Sequence, residues 1–298
     1  MLYTDISQID FNKYDRFFVV GCSFTNWFWP TWADVIAHDH PHLEFINLGL
    51  GGQGNQYIAT AVSQIIQHYA PTSRDCVAVM WSTFHRISDY TVFADRADYL
   101  KFMHDHTEPE YGDPCNWRGT SDTIHCDKEL HQSDSRGYLI RDSAYIHLVS
   151  ELMKNAEFDC FQLFSCNPHE QNLYDTSFAQ LPKDDVLRTY HSAYQNVAGE
   201  SLLNVLLEVK NGVYDWQPKV NWIPAHGDVD DPNAYQQDHH PLTSHYCNYL
   251  NTIGYTVSNA TLSWAEAMDE RVVTTRCAIS LIDNPDWPYK GYLGNQIL

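Results

Sequence analysis

The sequence predicts an α/β protein with three layers, in which helices cover both faces of a central, mostly parallel sheet. Short apolar runs of strand length alternate along the chain with segments of helical periodicity, which is the pattern of parallel strands joined by helices. The first two apolar runs also open abruptly into loops that contain glycine. Loops at the carboxyl ends of strands are where open α/β sheets bind their ligands.

The individual elements follow from local patterns. Apolar runs predict strands near 17–22, 43–47, 76–81 and 158–164, and a further strand near 220–224. A helix is predicted near 30–38 because Pro30 can occupy its first turn. Another is predicted near 55–69, where Ile58 and Ile65 belong to an apolar repeat with helical spacing. Further helices are predicted near 140–155, 184–209 and 242–254.

A single domain over residues 1–298 is the preferred organisation, because α/β folds often reach this length with insertions. The stretch at about 87–140 is polar and irregular, and we interpret it as an insertion or lid. Its aromatic residues, such as Trp117, suit stacking on a sugar ring. The residues at about 271–298 form a C-terminal extension of this domain.

The composition limits the partners and the compartment. The formal net charge of −20 disfavours binding to nucleic acid or to an anionic membrane, because both would repel the protein. A small-molecule or glycan ester is easier to accommodate, and the oligomeric state is open. The first residues lack a basic region followed by an apolar one, so a cytoplasmic location is expected, with release by lysis or in a particle also open. Without export, the 8 cysteines are expected to be reduced thiols.

Ser23 ends the first apolar run and precedes a helix-like segment. A serine at the carboxyl end of a buried parallel strand projects into the ligand crevice, and the start of the next helix can offer N–H groups to an anion. Two interpretations stay open at this point. Ser23 is either a nucleophile or a residue that caps the next helix.

The second loop contains the pattern Gly-x-Gly-x-x-Gly at Gly49, Gly51 and Gly54. This pattern is typical of dinucleotide binding, but that site expects an acidic residue about 20 residues later, near a second strand, and the stretch here supplies Gln64, Gln67 and His68 instead. Glycines also let a loop aim backbone N–H groups at an oxyanion. The loop therefore suits an oxyanion better than a cofactor.

Near the end of the chain, Asp238-His239-His240-Pro241 directly precedes an amphipathic segment. A histidine fixed by proline at the start of a helix is well placed as a general base, and a nearby aspartate can orient its ring.

Serine after the first strand, Asn-x-Gly-x-x-Gly after the second and His-Pro near the end together resemble the SGNH (GDSL-type) hydrolase superfamily. The resemblance implies a flavodoxin-like fold, with Ser23 as the nucleophile and His240 as the base. It also implies that Gly52, within Asn47-x-Gly49-x-x-Gly52, donates a hydrogen bond to the oxyanion.

The chain departs from the family at the third strand, where Gly-x-Asn-Asp usually supplies an asparagine donor to the oxyanion. The corresponding run here is Trp81-Ser82-Thr83-Phe84-His85. We therefore expect Ser82, Thr83 or His85 to supply this donor, and Thr83 is favoured.

The acid also departs from the family, because Asp238 precedes His240 by two residues instead of three. Asp238 is the preferred acid, and His240 is the preferred base because it adjoins Pro241. The alternatives for the acid are Asp228, Asp230 and Asp231, and those for the base are His239 and His245.

The sequence therefore leads to a serine ester hydrolase that acts on a small acyl ester, such as an O-acetylated carbohydrate, and that needs no cofactor. Two other classes stay open. One is a catalytically silent SGNH-fold module that binds glycan or serves in a structure or assembly. The other is a metal-dependent protein that uses histidines such as His38, His40 and His42.

Overall fold

The computed structural model of the chain confirms the α/β class. It describes residues 1–84, 86–90, 117–121, 135–166, 194–206, 221–224, 235–237, 240–275, 281, 284 and 286–289. The strands are β1 (Leu2–Tyr3), β2 (Arg16–Val20), β3 (Glu44–Asn47), β4 (Asp75–Trp81), β5 (Arg86–Tyr90), β6 (Trp117–Ser121), β7 (Asp159–Phe164), β8 (Asn221–Pro224) and β9 (Tyr235–Gln237). The α-helices are α1 (Trp32–Asp39), α2 (Asn55–Gln64), α3 (Ser135–Lys154), α4 (Leu202–Leu206), α5 (Thr243–Thr252) and α6 (Asn259–Val273).

Five strands form the central sheet in the order β1-β7-β4-β2-β3, and every neighbouring pair is parallel. The order of β3, β2, β4 and β7 is that of a flavodoxin-like sheet. The strand predicted near 220–224 exists as β8, but it pairs with β9 in a separate antiparallel ribbon. The fifth position of the main sheet belongs instead to β1, which the sequence did not indicate.

The sheet separates two cores because side chains alternate along each strand. Phe17 and Val19 of β2 face the core formed with α1, α5 and α6. Phe18 and Val20 face the core formed with α2 and α3. Helices therefore cover both faces of the sheet, as the sequence predicted.

Most predicted elements agree with the structure, and the differences are local. The helix predicted near 55–69 is α-helical to Gln64 and continues as a π-helical turn over Ile65–Tyr69. It ends at Ala70, whose φ of +43° is left-handed. Helix α6 was not predicted. Within the predicted insertion the structure describes the antiparallel strands β5 and β6 and the start of α3. The helix predicted near 184–209 is wrong over residues 195–201, which are not helical; α4 covers Leu202–Leu206, and residues 184–193 and 207–209 lie outside the described residues.

The cysteines that the structure describes are free and buried, at Cys22, Cys76, Cys160, Cys166 and Cys247. Burial raises the pKa of Cys160 to about 12, so this thiol is protonated at neutral pH. Among the described residues, no helix has the length and apolar character needed to cross a membrane.

Replacing Leu163 of β7 with alanine should test the central core. The Leu163 side chain is fully buried, so Leu163→Ala is expected to lower the free energy of unfolding by about 2–5 kcal/mol. Leu148 on α3 is 64% exposed, so Leu148→Ala is expected to change the stability by no more than about 0.5 kcal/mol. Urea denaturation measures both, and equal losses would contradict the assignment of the core.

Candidate active site

Ser23 lies where the strand order of the sheet reverses. The chain passes from β2 to β3 on one side and then returns to β4 on the other side of β2. Open α/β sheets bind their ligands beyond the carboxyl ends of the strands at such a reversal. Ser23 follows β2 closely and is 2% exposed. It therefore occupies the position at which this class of sheet binds ligands.

Ser23 belongs to a compact turn, which we call the Ser23 turn (residues 22–26). The Cys22 carbonyl accepts the backbone N–H groups of Thr25 (2.8 Å) and Asn26 (3.2 Å). The turn packs back on Gly21, where a Cβ atom would lie 2.0 Å from Thr25 Oγ1. Glycine at position 21 thus allows the chain to fold back directly after the strand.

Two asparagines join the Ser23 turn to the loop after β3. Asn47 donates from Nδ2 to the Thr25 carbonyl (2.8 Å) and accepts the Gly49 N–H on Oδ1 (2.9 Å). Asn26 donates from Nδ2 to the Gly49 carbonyl (2.9 Å). Because both polar atoms of the Asn47 side chain are used within the protein, Asn47 links the two loops structurally.

Gly52 lies in the same loop after β3. Its φ is +77°, in the left-handed region that favours glycine. Just before it, the Leu50 N–H donates to the Gly21 carbonyl (3.0 Å), which extends the pairing of β2 and β3 up to this loop. A side chain at position 52 would therefore strain the backbone of this loop, which the Leu50–Gly21 hydrogen bond joins to the end of β2.

Ser82 directly follows β4 and is 3% exposed. Strands β2 and β4 are parallel and pair Val20 with Val79, so Ser82 and the Ser23 turn follow their strands at the same end of the sheet. The Ser82 hydroxyl is buried and has no hydrogen-bond partner within the part of the chain that the structure describes.

A buried polar network holds the backbone of Ser82. Asn55, the first residue of α2, accepts the Ser82 N–H on Oδ1 (2.8 Å) and donates from Nδ2 to the Ser82 carbonyl (3.1 Å) and to Asp142 Oδ2 (2.7 Å). Arg141 donates from Nε to Asp142 Oδ1 (2.6 Å) and from Nη2 to the Arg86 carbonyl (2.9 Å). Burial raises the pKa of Asp142 to about 6, although Arg141 and Asn55 favour its ionised form.

The His240 side chain is partly buried and packs against aromatic side chains. Its ring stacks on Trp27, with centroids 3.7 Å apart and an interplanar angle of 23°. Its centroid lies 5.2 Å from that of Phe24, the residue directly after the candidate nucleophile. Trp29 donates from Nε1 to the Pro241 carbonyl (2.8 Å), which fixes the backbone beside the histidine.

Asp269 anchors the start of α5, which follows His240. Its carboxylate, on α6, accepts the backbone N–H groups of Thr243 (2.8 Å) and Ser244 (3.0 Å). A carboxylate at this end of a helix also complements the helix dipole, and burial raises the pKa of Asp269. His245, the alternative base, also stabilises the start of α5, because its Nδ1 accepts the Leu242 N–H (3.1 Å).

The structure thus brings several predicted site residues to one edge of the sheet. They are Ser23, Asn47, Gly52, Ser82 and Thr83, with His240 beside Phe24. Thr83 is partly exposed. The remaining candidates lie outside the described residues, namely His85, Asp228, Asp230, Asp231, Asp238 and His239.

Sequence reasoning missed three supporting side chains, those of Asn55, Asp142 and Asp269. Asn55 had a usable signal, since asparagine is common where helices begin. Asp142 and Asp269 lie inside helices, where a carboxylate usually faces solvent. Only the packing of the helices shows that both are buried.

Among the described residues, no group of three or more histidine, cysteine, aspartate or glutamate side chains is arranged to hold a metal ion. His38 stacks on Trp264 (4.1 Å between centroids), and His40 stacks on Phe11 (5.2 Å). These two histidines therefore pack against aromatic rings.

Comparison of the chain with protein-family models and with curated proteins finds no match. Function is therefore inferred from the residues at the sheet edge.

Asn47→Ala should separate the two loops. The substitution removes the hydrogen bonds to Thr25 and Gly49 and leaves the buried Gly49 N–H unpaired, so it is expected to lower the free energy of unfolding by about 1–3 kcal/mol. The Thr25 carbonyl still accepts the Thr31 hydroxyl. Asn248→Ala, on the exposed face of α5, is the control and should have little effect. Equal midpoints of urea denaturation for the two variants would show that Asn47 does not link the loops.

Proposed function

We propose that the chain is a serine ester hydrolase of the SGNH type that acts on a small acyl ester, such as an O-acetylated carbohydrate. The observation that carries this proposal is the meeting of the Ser23 turn, the loop after β3 (residues 48–54, here called the Gly52 loop) and the stacked His240 at one sheet edge. A nucleophile, a loop with backbone N–H groups and an imidazole are the parts that acyl transfer requires. The net charge of −20 suits a neutral ester better than an anionic one.

In the proposed reaction, His240 takes the proton of the Ser23 hydroxyl while Ser23 Oγ attacks the ester carbonyl carbon. The N–H groups of Ser23 and Gly52 donate to the oxyanion of the tetrahedral intermediate. The bond to the alcohol then breaks, and the alcohol leaves with the proton from His240. Water, deprotonated by His240, attacks the acyl group on Ser23. The bond from the acyl carbon to Ser23 Oγ then breaks, His240 returns the proton to Ser23 Oγ, and the carboxylic acid is released. Asp238 orients His240 and stabilises its imidazolium form.

The contacts around these residues favour a preorganised site. Asn26 and Asn47 fix the Ser23 turn against the Gly52 loop before any substrate is bound. Donors that are already in place stabilise developing charge better than water does, because they need not reorganise during the reaction. Trp27 covers one face of the His240 ring, which restricts its rotation.

A catalytically silent module of the same fold is the second candidate. The observation that favours it is the absence of asparagine from Trp81-Ser82-Thr83-Phe84-His85, the segment that follows the third predicted strand. Such a module would bind a glycan or take part in an assembly without chemistry at Ser23.

Labelling of Ser23 should separate these candidates. The purified protein is expected to hydrolyse a short-chain aryl ester and to react with a fluorophosphonate probe, because only an activated serine attacks phosphorus readily. Ser23→Ala should lose both reactions while its circular dichroism spectrum stays unchanged. Ser63→Ala, on the exposed face of α2, is the control and should retain both. Turnover at the wild-type rate in Ser23→Ala would exclude Ser23 as the nucleophile, and a wild-type protein without either reaction would favour the silent module.

Substitution of the adjacent histidines should identify the base. His240→Ala is expected to lower turnover by at least about 1000-fold, as for the loss of one member of a serine–histidine pair. His239→Ala should cost far less, because the resemblance assigns the base to the histidine beside Pro241. Steady-state kinetics on the same aryl ester measures both, and the opposite order would assign the base to His239.

A further inference from the structure

The Ser82 hydroxyl is a buried polar group that its surroundings leave unpaired. The residue is 3% exposed, and within the described chain its Oγ has no hydrogen-bond partner. An unpaired buried hydroxyl lowers stability, so each such group calls for an explanation, such as a catalytic role or an ordered water. Ser82 follows β4 at the same end of the sheet as the Ser23 turn, where a role in catalysis supplies that explanation.

Neighbouring side chains fix the position of Ser82 without satisfying its hydroxyl. The Asn55 side chain forms hydrogen bonds with both the N–H and the carbonyl of Ser82. Asp142 accepts a hydrogen bond from Asn55 and another from Arg141. The backbone cannot shift at Ser82 unless these buried bonds break. A catalytic donor needs such support, because its position must be set before charge develops on the substrate.

Ser82 also lies on the appropriate face of the sheet. Met80 packs in the core beside α1 and α5, whereas Trp81 packs in the core beside α2 and α3. Continuing this alternation one residue past the end of β4 puts Ser82 on the face that carries α5. His240 lies shortly before α5, and the parallel pairing of β2 with β4 brings the Ser23 turn and Ser82 to the same end of the sheet.

We propose that Ser82 is the third oxyanion donor, and that Asn55 and Asp142 are positioning residues for it. This inference rests on the proposed hydrolase function. The Ser82 hydroxyl donates one hydrogen bond to the carbonyl oxygen as that oxygen becomes negative, and Ser82 neither forms a covalent bond nor transfers a proton. Thr83, which the sequence favoured, is partly exposed, and its carbonyl closes a turn with the Arg86 N–H (3.4 Å).

The test compares two buried serines at neighbouring strand ends. Ser165 follows β7, and its hydroxyl is likewise buried and unpaired among the described residues. Ser82→Ala is expected to lower kcat for a short-chain aryl ester by about 100- to 1000-fold with little change in KM, as for the loss of one oxyanion donor. Ser165→Ala should leave kcat unchanged. Ser82→Thr keeps the hydroxyl and should restore most of the turnover.

A stability measurement distinguishes this role from a structural one. Both alanine variants remove an unpaired buried hydroxyl, so both should unfold at a urea concentration equal to or above that of the wild type. Low turnover in a Ser82→Ala protein of undiminished stability supports the donor role. Low turnover with a matching loss of stability would overturn it.

Ser23 labelling separates this inference from the function on which it rests. A wild-type protein that labels, together with Ser82→Ala at the wild-type turnover, would overturn the role of Ser82 alone. A wild-type protein that neither labels nor hydrolyses would overturn the hydrolase as well. In a phosphonate adduct of Ser23, the phosphonyl oxygen is expected within about 2.7–3.1 Å of Ser82 Oγ. A hydrogen bond from Thr83 in its place would contradict the assignment.

The positioning role of Asn55 has its own readout. Asn55→Ala should lower kcat in the wild-type background but add little in the Ser82→Ala background, because its effect passes through Ser82. If Asn55→Ala fails to fold, Asp142→Asn can replace it, because this substitution keeps the shape of the side chain. It is then combined with Ser82→Ala in the same way, and a smaller effect on kcat is expected. A full additional loss in the double variant would show that Asn55 supports the site by another route.

Discussion

The parallel pairing of β2 with both β3 and β4 is the constraint on which the rest of the structure depends. Phe17, Phe18, Val19 and Val20 are fully buried and face two different cores in alternation. A shift of β2 by one residue would move each of these side chains into the wrong layer, so the register is fixed. That register in turn sets where the loops after β2, β3 and β4 leave the sheet. Asparagine side chains then join these loops through their backbones.

Strands β2, β3, β4 and β7 could be predicted because each is an apolar run that ends in loop residues. Strand β1 could not, because two residues carry no periodicity and Leu2 pairs with the distant Cys160. Helix α6 escaped prediction for a different reason. Its buried positions include Thr261 and Ala265, which are too small or too polar to mark an apolar face in the sequence.

The candidate site also contains features that the sequence could predict and features that it could not. Ser23 and the glycine loop follow from the points where apolar runs end, which is local information. The pairing of Asn55 with Asp142 joins two helices that are distant in sequence, and no local pattern indicates it. The choice between Ser82 and Thr83 depends on which hydroxyl is buried and which face of the sheet it joins. Those properties exist only after the strands have paired.

The contact of Asp269 with the start of α5 has a consequence for how the site persists. The sheet fixes Ser23, whereas His240 depends on Trp29 and on a cap supplied by the neighbouring helix α6. Helix α6 also packs in the core that it shares with Phe17 and Val19 of β2, so loosening of α6 would open this core and release the start of α5. The geometry of the proposed catalytic pair therefore depends on the packing of a helix that carries neither member of the pair.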